Sequence, residues 1–109
     1  MKIASKLKHR VTVFDKVFYE NELGEEKFDF RETQKVWCYI VPNSAKEEKL
    51  SGSTYSSVSY KFRIRAGAIK GLNNSMYFIY KNQRYNIDYF IPYFYDNAYI
   101  DIFCTLVVE

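Results

Sequence analysis

The chain has 109 residues, a length that suits one domain spanning 1–109, and its 48% hydrophobic content excludes wholesale disorder. Sixteen Lys and Arg against thirteen Asp and Glu leave a formal charge of only +3. That balance argues against a dedicated nucleic-acid binder, which concentrates cations on one face to meet phosphates. Eleven Tyr and nine Phe favour strands, where flat side chains pack well on a pleated surface.

The start, Met1-Lys2-Ile3-Ala4-Ser5-Lys6, is polar and has no apolar h-region, so no signal peptide is expected and folding in a cytoplasm is. No apolar run approaches the roughly 20 residues that span a bilayer, and no membrane partner is expected. In His9-Arg10-Val11-Thr12-Val13-Phe14 the apolar residues alternate, which predicts a half-buried strand. A polar stretch follows. Asn21 and Gly24 suit a hairpin turn because both tolerate positive φ. A second strand region runs from about Lys27 to Val41. Val36-Trp37-Cys38-Tyr39-Ile40-Val41 is apolar throughout, so both faces are covered there, or one face meets another subunit. Pro42 cannot donate to a ladder and is expected to end the strand.

Ser44-Ala45-Lys46-Glu47 matches a capping box, and Ala45 to Leu50 predicts a helix of at most two turns closed by Gly52. The polar run from Ser51 to Ser57 reads as a mobile loop. Tyr60-Lys61-Phe62-Arg63-Ile64-Arg65 alternates cleanly, with Lys61, Arg63 and Arg65 on one face. Gly67, Gly71, Asn73 and Asn74 mark a turn-rich connection. Met76 to Tyr80 and Arg84 to Phe90 form a hairpin about Lys81-Asn82-Gln83. Pro92 and Asp96-Asn97 punctuate the next turn, and Tyr99 to Val108 is the last strand. The fold class is therefore all-β: a small antiparallel barrel or sandwich of about six strands with one short helix.

Chemistry is scarce in this pattern. His9 is the only histidine and sits between Lys8 and Arg10 at a strand start, so it reads as an exposed or edge residue. Cys38 and Cys104 lie far apart in apolar runs without a Cys-x-x-Cys, and read as buried free thiols. Gly67 and Gly71 lack phosphate-loop spacing, and the Glu25-Glu26 and Glu47-Glu48 pairs read as a solubilising turn and a helix start. No catalytic, cofactor or metal site is expected. Lys61, Arg63 and Arg65 suit a solvated face or contact with phosphate or an acidic surface. Tyr89, Tyr93 and Tyr95, in a Tyr-rich C-terminal half, suit either base stacking on an OB-like barrel or a protein interface. The weak net charge favours the interface.

The order of these features resembles the head–tail joining proteins of tailed bacteriophages, also called head-closure, stopper or head-completion proteins. Leu7-Lys8-His9-Arg10-Val11-Thr12-Val13 is similar to the family's opening Leu-basic-His-Arg strand. Lys35-Val36-Trp37-Cys38-Tyr39-Ile40-Val41-Pro42 resembles its Val-Trp-Ala-x-Val-x-Pro strand, and Ser44-Ala45-Lys46-Glu47 sits at its Ser-Gly-x-Glu helix start, with Ala45 in place of Gly. Tyr60 to Arg65 resembles its Ile-Thr-Ile-Arg strand, and Met76 to Ile87 its next hairpin. The resemblance implies a non-enzymatic ring subunit, commonly in twelve-fold rings and monomeric in isolation until a template is offered. Its partners would be portal or adaptor and tail proteins of the same phage, with packaged double-stranded DNA as channel content. Its place would be the virion neck, after assembly in the host cytoplasm. In some members a loop projects into the channel and holds back DNA. Mapped by order it falls within Asn43 to Ser59, with Lys46, Glu47, Glu48, Lys49, Ser53, Thr54 and Tyr55 as candidates. A tail-completion or terminator ring subunit is the alternative within the virion, and an OB-like single-stranded nucleic-acid binder the alternative outside it.

Overall fold

Six antiparallel strands account for most of the described residues: β1 His9–Glu20, β2 Glu26–Leu50, β3 Ser53–Arg65, β4 Tyr77–Tyr80, β5 Gln83–Pro92 and β6 Tyr99–Leu106. The structure, a computed structural model, describes the backbone of residues 6–50 and 53–107 and the side chains of residues 6–43 and 58–107. The strands hydrogen-bond in the order β1-β2-β3-β6-β5-β4, and β4 returns to β1 to close a barrel. Closure leaves the barrel wall without an unpaired edge.

The alternation seen in the sequence decides what lies inside. Val11, Val13, Phe62, Phe78, Ile102 and Cys104 are all fully buried. Phe62 packs its ring against Phe78 and Tyr85, each at 5.2 Å between centroids. Residues 66–76, which connect β3 to β4, contribute Ile69 and Met76 to the same core. A hairpin turn joins β4 to β5 as expected. Lys81 and Asn82 both take positive φ, at 52° and 63°, and Tyr80 pairs directly with Gln83. That is the backbone twist a two-residue antiparallel turn requires.

Two hairpins outgrow the barrel. At Val13/Phe14 the β1–β2 register shifts, so Val13 faces Gln34 while Phe14 faces Glu32. Pairing of β1 with β4 covers only Thr12 to Phe14. From Asp15↔Arg31 to Glu20↔Glu26 the two strands therefore pair only with each other, forming a first arm. Its turn is set by Asn21, whose Oδ1 accepts from the Leu23 and Glu25 amides at 3.0 and 2.9 Å, with Gly24 at φ 79°. The polar stretch predicted after Phe14 is thus strand. The second arm is formed by β2 and β3 beyond the point where β6 stops pairing with β3, at Ser59↔Thr105. The arms explain a radius of gyration of 16.2 Å, against about 13 Å for a compact domain of this length.

Three expectations need correction. β2 does not end at Pro42. It runs on to Leu50, with Pro42 opposite Tyr60 and a register shift between Pro42 and Ser44. Such a shift is where a strand tolerates a residue without an N–H. The predicted helix from Ala45 to Leu50 is strand as well, paired from Ala45↔Val58 to Leu50↔Ser53. Two helical turns gain few hydrogen bonds for their nucleation cost, whereas β3 offers every residue of this stretch a partner. The candidate channel segment is accordingly a paired arm at Lys46, Glu47, Glu48, Lys49, Ser53, Thr54 and Tyr55, and the predicted Gly52 cap lies outside the described residues. Finally, β6 stops at Leu106, and Val108 lies outside the described residues.

Candidate functional site

The predicted contact residues Lys61, Arg63 and Arg65 share the outer face of β3, but the structure treats them differently. Arg63 is paired in register with Asp101 of β6. Its Nε donates to Asp101 Oδ1 at 2.7 Å and its Nη2 to Oδ2 at 3.1 Å. The Tyr93 ring lies over the guanidinium, 3.6 Å from ring centre to Cζ. The side chains of Arg63 and Asp101 are 11% and 9% exposed, so an outward-facing ion pair is sealed by the β5–β6 connection. The bond to Asp101 raises the Arg63 pKa further above its already high value, with burial opposing. Arg63 is thus a clasp holding β3, β6 and the Tyr93 loop together. Arg65 is exposed and Lys61 half-buried.

The predicted tyrosines lie beside this clasp. Tyr89 is 54% exposed and stacks on Phe103 at 4.6 Å. Tyr95 is 81% exposed and Phe94 88%, their rings 5.0 Å apart. The structure therefore brings Arg63 and Tyr93 together, sets Tyr89 and Tyr95 on the surface nearby, and keeps the second arm apart from them on its own hairpin.

A second aromatic surface went unpredicted. Rings of Phe18, Phe28, Phe30, Tyr77 and Phe14 follow one another along the outer face of the first arm and onto β4, at centroid spacings of 5.0 to 6.0 Å. Lys16 lies over Phe28 at 4.7 Å and Arg84 over Tyr77 at 3.8 Å. Phe18 and Phe28 are 62% and 49% exposed. The period-two pattern Phe14-Lys16-Phe18 opposite Phe28-Phe30 carries the signal. The interleaved charges mask it.

Groups with chemical potential are spent on structure. His9 is half-buried, its Nδ1 2.7 Å from the Tyr80 hydroxyl with the rings edge to face. Cys38 and Cys104 are buried free thiols. Burial pushes the Cys38 pKa up to about 12 and raises that of Cys104 as well, so both are protonated and unreactive at neutral pH. Among the described residues no group of three or more His, Cys, Asp or Glu is placed to hold a metal ion.

Fold and surface together define the class: a small closed β-barrel carrying two hairpin arms and exposed aromatic faces. The chain belongs to the phage head completion protein family, whose model matches residues 3–107. No curated protein matches it in sequence. Among solved structures, a chain of the virion of a native gene transfer agent particle is similar in fold, with a TM-score of 0.71 at 18% identity over 94% of this chain and 96% of that one. The xkdH protein of the phage-like element PBSX from Bacillus subtilis is also similar, with a TM-score of 0.55 at 14% identity over 90% and 92%.

Proposed function

We propose that this chain is a non-enzymatic structural subunit of a phage or prophage head–tail connector ring, which joins the portal or adaptor to the tail. The observation that carries this reading is the match of residues 3–107 to the phage head completion protein family. The fold supports it. A closed barrel whose strands extend into two arms supplies rigid body and reach in one chain, and residues 1–109 act as a single connector-like domain. Its place is the neck of the virion, reached after assembly in the host cytoplasm, with packaged DNA as content of the channel. The second arm, with Lys46, Glu47, Glu48 and Lys49 on one strand and Ser53, Thr54 and Tyr55 on the other, is the segment that faces the channel and gates the DNA. Arg65, Lys61 and the Tyr89–Tyr95 surface supply contacts to neighbouring virion proteins.

Labelled protein should attach to portal-bearing, DNA-filled heads and not to isolated tail tubes. Preference for tail tubes would replace this reading with a tail-terminator role. Salt-sensitive binding of bare oligonucleotides, without attachment to heads, would replace it with nucleic-acid binding. Deleting residues 51–57 should leave the barrel folded but let packaged DNA leak, and normal retention would reject the gate.

A further inference from the structure

The tip of the first arm is acidic and apolar at once. Glu20, Glu22, Glu25 and Glu26 crowd seven residues, and Lys27 beside them neutralises Glu25 at 3.4 Å while Glu20, Glu22 and Glu26 keep their charge unpaired among the described residues. Leu23, at the turn, is 82% exposed. Among the described residues nothing covers it, although a bare leucine ringed by glutamates is a poor choice for a turn that only has to be soluble.

The other end of the same hairpin has the opposite character. Leu7, Lys35, Val36, Trp37, Arg65 and Ala68 line a depression of about 250 Å³. Trp37 is 52% exposed, and the Arg10 guanidinium lies 5.4 Å from its ring centre. The site thus has an apolar floor and a cationic rim of Lys35, Arg65 and Arg10. Among the described residues none of these three is ion-paired. Small-molecule pockets usually run from about 300 to 1,000 Å³ and are enclosed. This one suits a single large side chain.

The two surfaces cannot meet within one molecule. Arg10, paired with Trp37, lies ten residues before Glu20 on the same strand, which is about 33 Å at the rise of a strand. Complementary surfaces at opposite ends of one hairpin can both be satisfied by further copies of the same chain, and such a contact is heterologous.

We propose that the Leu23 tip of one copy seats in the Leu7–Trp37–Ala68 depression of a second copy, with the tip glutamates against Lys35 and Arg65. This deepens the ring reading and rests on it. Every subunit then uses both surfaces once, and the chain of contacts ends only when it closes. The apolar plug supplies the burial. The charges set direction, because tip against tip and depression against depression both repel.

The test is oxidative crosslinking of the full chain, alone and with portal-bearing heads as template. The native thiols are buried and protonated, so introduced cysteines react alone. A Leu23→Cys/Lys35→Cys variant should give a ladder of dimers, trimers and larger species. Leu23→Cys mixed with Lys35→Cys should stop at the dimer, and Leu23→Cys alone should stay monomeric. Adding Glu22→Lys and Glu26→Lys should abolish the mixed dimer, and Arg65→Glu in the partner should restore it. Circular dichroism checks that each variant keeps its fold. Monomers throughout, a Leu23→Cys homodimer as strong as the mixed one, or a ladder indifferent to charge reversal would each overturn the contact. The two readings separate on heads. Wild-type attachment without tip crosslinks rejects the contact and keeps the connector, whereas crosslinks without attachment do the reverse.

Discussion

Arg63 and Asp101 face each other across the β3–β6 ladder, joined by two hydrogen bonds under the ring of Tyr93. The pair lies outside the barrel yet is withdrawn from water, so its energetics are those of an interior ion pair. Removing one partner leaves the other charge buried and unmatched. Arg63→Ala should therefore destabilise the chain by about 3–5 kcal/mol, measured by urea denaturation. Arg63→Met with Asp101→Leu should recover most of that loss, because no orphaned charge remains.

The core offers a second test. Phe62 is fully buried and meets two other rings. Phe62→Ala should cost about 3–5 kcal/mol through lost burial and the cavity left behind. Phe62→Leu should cost markedly less, by the same measurement.

The thiols give a pH dependence. The unfolded chain ionises Cys38 near its ordinary value of 9, whereas the folded chain holds the proton up to about 12. Cys104 shifts in the same direction, chiefly by burial and further by the Asp88 charge and Cys38. The native state then binds more protons, so stability is complete below about pH 9 and falls as pH rises. The loss should be on the order of 1 kcal/mol per pH unit per thiol. Chemical denaturation from pH 8 to 11 should show this slope reduced in Cys38→Ala/Cys104→Ala. Part of it should remain, because burial also raises the Tyr85 pKa.

The β4–β5 turn places Lys81 in the left-handed region, where a side chain with a Cβ is strained. Lys81→Asn with Asn82→Gly matches the preferred two-residue turn. It should raise stability by about 0.5–1 kcal/mol, seen as a higher melting temperature.

Where a feature depends on neighbours in sequence, it is legible. The inward set Phe62 and Ile64, the Asn21–Gly24 turn and the Lys81–Asn82 turn all follow from alternation or from turn chemistry. Where partners lie far along the chain, it is not. Arg63 reads as one of three solvated cations because Asp101 is 38 residues away and only the β3–β6 adjacency joins them. Ala45 to Leu50 reads as a helix because its local pattern fits one, and β3 supplies the competing ladder. The aromatic run from Phe14 to Phe30 is readable, but its two lysines and two aspartates imitate a polar surface.

β2 is long enough to belong to both arms. Its 25 residues run unbroken from the first arm through the barrel wall into the second. The two arms are therefore joined by a single covalent tie. A pull applied at one arm travels along this backbone and loads the flanking ladders in shear, where many hydrogen bonds resist together. Opening them one by one, as in unzipping, would need far less force. β2 thus offers a load on one arm a continuous backbone path to the other.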